Sequence, residues 1–141
     1  MATTRQAHTV WEGDLLKGSG VVTFDSSGIA DQPVSWASRA EQANGKTSPE
    51  ELIAAAHSSC FSMALSNGLA KAGTPPTKLT TQADVTLVPG TGITGVHITV
   101  VGEVEGLDEA SFVKAAEDAK ANCPVSQALA GTSITLTASL A

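Results

Sequence analysis

Ser48-Pro49-Glu50-Glu51 opens the segment that most restricts how this chain can fold. Ser48 can cap a helix, Pro49 suits its first position, and Glu51 stands where a capping box wants an acid. Both carboxylates also favour the positive end of the helix dipole. From Leu52 to Ala70 there is then no Asp, Glu, Lys or Arg. The run is rich in Ala with interspersed Leu and Met, so helix propensity is high. Its apolar residues, among them Leu52, Ile53, Ala56, Phe61, Met63, Leu65 and Leu69, surround the axis, and a helix apolar all round is a buried one. Lys71, Gly73 and Pro75-Pro76 end it. Cys60, one of only two cysteines, sits in the middle.

Around this helix the chain alternates between strand and helix signals. His8–Trp11, Gly20–Phe24 and Gln32–Trp36 read as short strands, and Glu41–Thr47, containing Asn44-Gly45, reads as a loop. Leu79–Val88 alternates with period two, turns at Pro89-Gly90-Thr91-Gly92, and pairs with Ile93–Val104 as a hairpin. Asp108 caps a second helix from Glu109 to about Ala121, and Pro124 starts a third, ended by Gly131. Ser133–Ser139 is a final strand. The order β-β-β-α-β-β-α-α-β predicts an α+β fold, and without repeats or a linker residues 1–141 form a single domain.

Composition excludes several functions. A net charge of −6 with no Lys/Arg cluster argues against nucleic acid and anionic membrane surfaces. Met1–Gln6 has no apolar core of a secretory signal, and Leu52–Ala70 carries too many Ser, Asn and Gly groups for a lone membrane span, so a cytoplasmic location is expected. There a pair of cysteines is seldom a structural staple. The low charge, 16% of residues, suggests that a second copy of the chain covers part of the surface.

The chemistry the chain can carry centres on four residues. Cys60 is either inert packing or a nucleophile held in a dry pocket. Asn122-Cys123-Pro124 puts the second sulfur just before a helix N-terminus, where unpaired N–H groups stabilise a thiolate. Arg39, the only Arg after Arg5, is either an ordinary surface charge or the partner of Glu50, which is itself either a first-turn helix acid or a clamp on the guanidinium. Glu50 and Cys60 are ten positions apart, roughly 15 Å along one helix at about 1.5 Å per residue. Antiparallel packing of two such helices across a two-fold axis brings Glu50 of one chain towards Cys60 of the other, which predicts a site at a dimer interface. His57 reads as a satisfied core histidine in preference to the base of a Cys/His pair, because no third orienting group is evident. His57 and Cys60 supply too few ligands for a metal.

Ser38-Arg39, the block Thr47-Ser48-Pro49-Glu50-Glu51-Leu52 through His57-Ser58-Ser59-Cys60-Phe61-Ser62-Met63-Ala64-Leu65, and Asn122-Cys123-Pro124-Val125-Ser126 together resemble the OsmC/Ohr family of thiol peroxidases. Trp11-Glu12-Gly13 and the Gly18–Gly20 turn fit as well, so the resemblance covers nearly the whole chain. It implies an intertwined α+β homodimer, with antiparallel sheets around central buried cysteine-bearing helices. It implies reduction of organic hydroperoxides, and less efficiently of hydrogen peroxide, with Cys60 as peroxidatic and Cys123 as resolving cysteine, joined in a disulfide. Arg39 and Glu50 match the pair that activates the thiolate. No cofactor is implied, and electrons come from a dithiol reductant, in the family often a lipoylated protein. The first Gly-rich loop, Gly13 to Gly20, carries Lys17 and no Arg, and Arg after the third strand is the OsmC placement as opposed to the Ohr one. Ala40 departs from the Phe usual there in OsmC-type sequences. A second reading is a non-catalytic binder of a small apolar ligand on the same dimeric fold.

Overall fold

The computed structural model describes residues 1–141 and gathers them into two compact units, Met1–Leu52 and Ile53–Ala141. In the first unit β1 (His8–Glu12), β2 (Ser19–Thr23) and β3 (Gln32–Val34) form an antiparallel sheet in that order. Trp36 does not extend the third strand. It begins a short helix, α1 (Trp36–Ala40). Ser35 caps it: the Ser38 N–H donates to Ser35 Oγ at 3.2 Å while the Ser35 N–H donates to Ser38 Oγ at 3.0 Å. The capping box uses Ser where an acid is the usual signal, which is why the helix is hard to see in the sequence. The following loop is tied back by the Thr47 N–H, which donates to the Pro33 carbonyl at 3.2 Å.

α2 runs from Pro49 to Lys71. Ser48 caps it as expected, its Oγ accepting the Glu51 N–H at 3.1 Å. The other half of the box is different, since the Glu51 carboxylate accepts the Thr47 hydroxyl at 2.6 Å. The helix ends in a Schellman motif. Gly73 takes φ +91°, the Thr74 N–H donates to the Leu69 carbonyl at 2.9 Å, and the Gly73 N–H donates to that of Ala70 at 3.0 Å.

The second unit holds β4 (Lys78–Val88), β5 (Gly92–Glu103), α3 (Glu109–Asn122), α4 (Pro124–Ala128) and β6 (Ser133–Leu140). β4 and β5 form the expected antiparallel hairpin. β6 joins the other edge of β5 in parallel. This is the one parallel pair in otherwise antiparallel sheets, because α3 and α4 occupy the connection and a helical crossover returns the chain in the same direction.

The core of this unit lies between the sheet and the helices. His57, Phe61, Leu65 and Leu69 recur every four residues along α2 and are all essentially buried. Phe61, Leu65 and Leu69 share one cluster with Val96, Ile98 and Val100 of β5 and with Phe112, Ala116, Ala119 and Cys123. Each large apolar side chain fully buried there contributes about 1.5–3 kcal/mol. The expectation that α2 is buried all round holds on this side only: within one chain Met63 on the other side is 71% exposed.

Packing is close where the Phe112 ring lies over Gly102 of β5, so that a Cβ added there would stand 2.5 Å from Phe112 Cε1 and Cζ. Gly102→Ala is therefore expected to destabilise the protein by about 1–3 kcal/mol, since the ring must be displaced from a packed core. Urea denaturation checks this, and an unchanged midpoint would show that the ring moves freely.

Candidate active site

Cys60 stands midway along α2, and Cys123 is both the residue that ends α3 and the residue that precedes α4. Pro124 has no N–H and cannot continue α3, so the chain turns at Cys123 and starts a new helix from Pro124. The fold brings two sulfurs 63 positions apart in sequence into contact, Sγ to Sγ 3.1 Å. Both are free thiols. This separation is about 1 Å longer than a disulfide bond, so a small shift of either side chain joins them. Their exposure differs: Cys60 is half-buried, whereas Cys123 is completely buried.

Burial pushes the Cys60 thiol above its ordinary pKa, and the neighbouring Cys123 thiol adds to the shift. The backbone N–H of Val125 pulls the other way. The sequence pointed to amides at the start of α4 as stabilisers of a Cys123 thiolate; the Val125 amide favours the thiolate of Cys60. A short helix that follows a turn can aim its first N–H groups at a neighbouring element, and spacing along the chain does not reveal which one.

His57 lies one turn before Cys60. Its Nε2 is 2.7 Å from Ser126 Oγ, and its Nδ1 has no partner. The ring is fully buried, and desolvation lowers its pKa, which keeps it neutral. It is thus a core histidine, as the sequence suggested, with one nitrogen satisfied. Ser126, its partner, lies 69 positions away, and the sequence held it only as the last residue of the Asn122–Ser126 block, with no sign that it meets His57.

Arg39 and Glu50 meet within the first unit. Arg39 Nε donates to Glu50 Oε1 at 2.9 Å and to Oε2 at 3.2 Å, and its Nη2 lies 2.9 Å from Oε1. The Glu50 carboxylate is nearly buried, while a third of the Arg39 side chain remains exposed. Multiple N–H···O bonds fix the guanidinium plane as a single contact would not. The guanidinium also lies 6.0 Å from the centroid of the Trp36 ring. Beside it opens a pocket of about 360 Å³, walled mainly by Trp11, Leu15, Val22, Val34, Trp36, Pro49 and Leu52. The pocket is almost wholly apolar apart from Ser35, Thr9 and the guanidinium. Two arrangements therefore stand in the chain: a sulfur pair ready for oxidation, and an oriented cation at the edge of an apolar pocket.

Residues 42–139 match the family model described as OsmC-like protein. The peroxiredoxin OsmC of Escherichia coli K12 is 46% identical over 127 residues, covering 88% of this chain and 87% of that protein. Among solved structures, an organic hydroperoxide resistance protein from Elizabethkingia anophelis aligns with a TM-score of 0.71 at 24% identity, covering 100% of both chains. An OsmC-like protein from Mycoplasma pneumoniae aligns with a TM-score of 0.75 at 12% identity, covering 99% of both. At these identities the structures speak for the fold alone. The family-model match and the 46% identity together show that the chain belongs to the OsmC-like protein family, on its OsmC branch.

Proposed function

We propose that the protein is a thiol-dependent peroxidase that reduces organic hydroperoxides, and less efficiently hydrogen peroxide, by a two-cysteine mechanism. The observation that carries this reading is the contact of a half-buried Cys60 with a fully buried Cys123 at 3.1 Å. The accessible sulfur meets the peroxide first. The Cys60 thiolate attacks the distal oxygen, the O–O bond breaks, and sulfenic acid and alkoxide form; the alkoxide takes up a proton as the alcohol leaves. The Cys123 thiol then displaces water from the sulfenic acid and closes the disulfide. An external dithiol, of the kind a lipoylated protein carries, exchanges with that disulfide and restores both thiols. No bound cofactor takes part in these steps.

Burial and the neighbouring Cys123 thiol both disfavour the Cys60 thiolate, so a nearby positive charge has a specific task. We assign it to Arg39, with Glu50 orienting the guanidinium. Arg39 also stabilises charge on the departing oxygen. The apolar pocket beside Arg39 suits the alkyl part of the substrate. This site works in a homodimer. The side of α2 that carries Met63 is open in one chain, and a second copy of the chain covers it. The two units serve together as one domain spanning residues 1–141. No helix is long and apolar enough to cross a membrane. We place the enzyme in the cytoplasm, where dithiol reductants keep it cycling.

Three variants test this reading. Cys60→Ser is expected to abolish hydroperoxide consumption, followed with t-butyl or cumene hydroperoxide; retained activity would remove Cys60 from the chemistry. Cys123→Ser is expected to react with one equivalent of peroxide and then stall when a dithiol is the only reductant. Arg39→Met is expected to slow Cys60 oxidation by about 10²–10³-fold, the scale of losing one donor that stabilises a developing oxyanion. The sign of its pH effect follows from the roles assigned. A guanidinium lowers the pKa of the thiol, so its removal moves the rising limb of the oxidation rate to higher pH. An unmoved limb would show that Arg39 does not act on the thiol.

A further inference from the structure

α2 and α4 are joined by two rungs. One is the sulfur pair, Cys60 to Cys123; the other is His57 Nε2 to Ser126 Oγ at 2.7 Å. His57 precedes Cys60 by three residues on α2, and Ser126 follows Cys123 by three at the start of α4. The rungs are therefore about one turn apart on both elements.

The second rung is buried at both ends, with His57 at 0% and Ser126 at 6% exposure. It is also costly, because a buried imidazole with an unpartnered Nδ1 is less stable in a core than an aliphatic side chain of similar volume. The tautomer with the proton on Nε2 leaves only a lone pair unsatisfied at Nδ1, the cheaper orphan, and lets Nε2–H donate to Ser126 Oγ. α4 spans only Pro124–Ala128, and Pro124 supplies no N–H. So short a helix cannot fix its own position.

We propose that the His57–Ser126 hydrogen bond is a positioning pin: it holds the start of α4 on α2 while the Cys60 sulfur changes from thiol to sulfenic acid, and so favours disulfide closure over further oxidation. This rests on the two-cysteine reading above. Two reactions compete for the sulfenic acid. Cys123 closes the disulfide and releases water; a second hydroperoxide oxidises the sulfur to sulfinic acid and leaves as the alcohol. Only the first depends on where Cys123 stands. Misplacement by about 1 Å costs a reaction of this kind up to roughly 10²-fold. His57 and Ser126 act through Cys123 and touch no substrate.

The test follows reduced full-length protein, mixed rapidly with cumene hydroperoxide, with Cys60 sulfenic acid trapped by dimedone and products read by intact mass. Ser126→Ala is expected to form sulfenic acid at the wild-type rate, to close the disulfide about 10- to 100-fold more slowly, and to accumulate sulfinic acid. Ser126→Thr, which keeps the hydroxyl, is expected to restore closure, and His57→Gln, which offers an amide donor in place of Nε2, to restore it in part. A defect of folding alone would depress the first step as well and would not be rescued by Thr. Wild-type closure in Ser126→Ala, with no added sulfinic acid, overturns the pin. If wild-type protein fails to react with peroxide, the peroxidase reading fails, and diamide decides the pin separately. Diamide adds to the Cys60 thiol, and Cys123 displaces it as the hydrazine while the disulfide forms; slower closure in Ser126→Ala upholds the pin and equal closure overturns it. If Ser126→Ala does not fold, His57→Leu, which fills the site without a donor, decides in the same assay: slowed closure upholds the pin, and an unchanged rate overturns it.

Discussion

Phe61, Leu65 and Leu69 bury one side of α2 in the same core as Val96, Ile98 and Val100 of β5 and the Phe112 ring, and that seating decides where Cys60 stands. The residues recur every four positions, so the stripe fixes both the height and the rotation of the helix on the sheet. α3 enters the same core through Phe112, Ala116 and Ala119, and Cys123 follows directly at its end. The two sulfurs are thus delivered by two elements docked on one core, without a disulfide to draw them together in the thiol state. A contact built this way does not depend on a bond between the sulfurs, as the proposed redox cycle requires.

Dryness has two consequences at this site. It limits the contact of the half-buried Cys60 sulfur with bulk water, but it also disfavours the thiolate form. One backbone amide, that of Val125, offsets part of this cost locally. The guanidinium of Arg39 is the formal positive charge we assign to the remainder, and its hold by Glu50 removes the freedom that a lone Arg would have to lose on binding. The polar rung between His57 and Ser126 belongs to the same logic. In a dry region a hydrogen bond is directional where packing contacts are not, so it sets register.

Much of this was legible in the chain. The Ser48-Pro49-Glu50-Glu51 start, the charge-free run and the Gly73 stop define α2, because capping chemistry and propensity are local. The hairpin of β4 and β5 follows from alternation about a Gly-rich turn, and Pro124 marks the break between α3 and α4. What was hidden depends on distant parts of the chain. The parallel pairing of β6 is set by the crossover that precedes it and not by its own residues. α1 escaped notice because its cap is a Ser-Ser pair within a strand-like context. The pairing of Ser126 with His57 had no signal because a hydroxyl in a short helix acquires its meaning only from the histidine it meets.

Peptide mapping without reduction, after one equivalent of organic hydroperoxide is added to the fully reduced protein, tests most directly whether the contact between the two sulfurs is the working centre. A single crosslink between the Cys60 and Cys123 peptides, within each chain and with both free thiols lost, is the expected product. Cys60 oxidised while Cys123 remains a free thiol, or crosslinks only between chains, would contradict it.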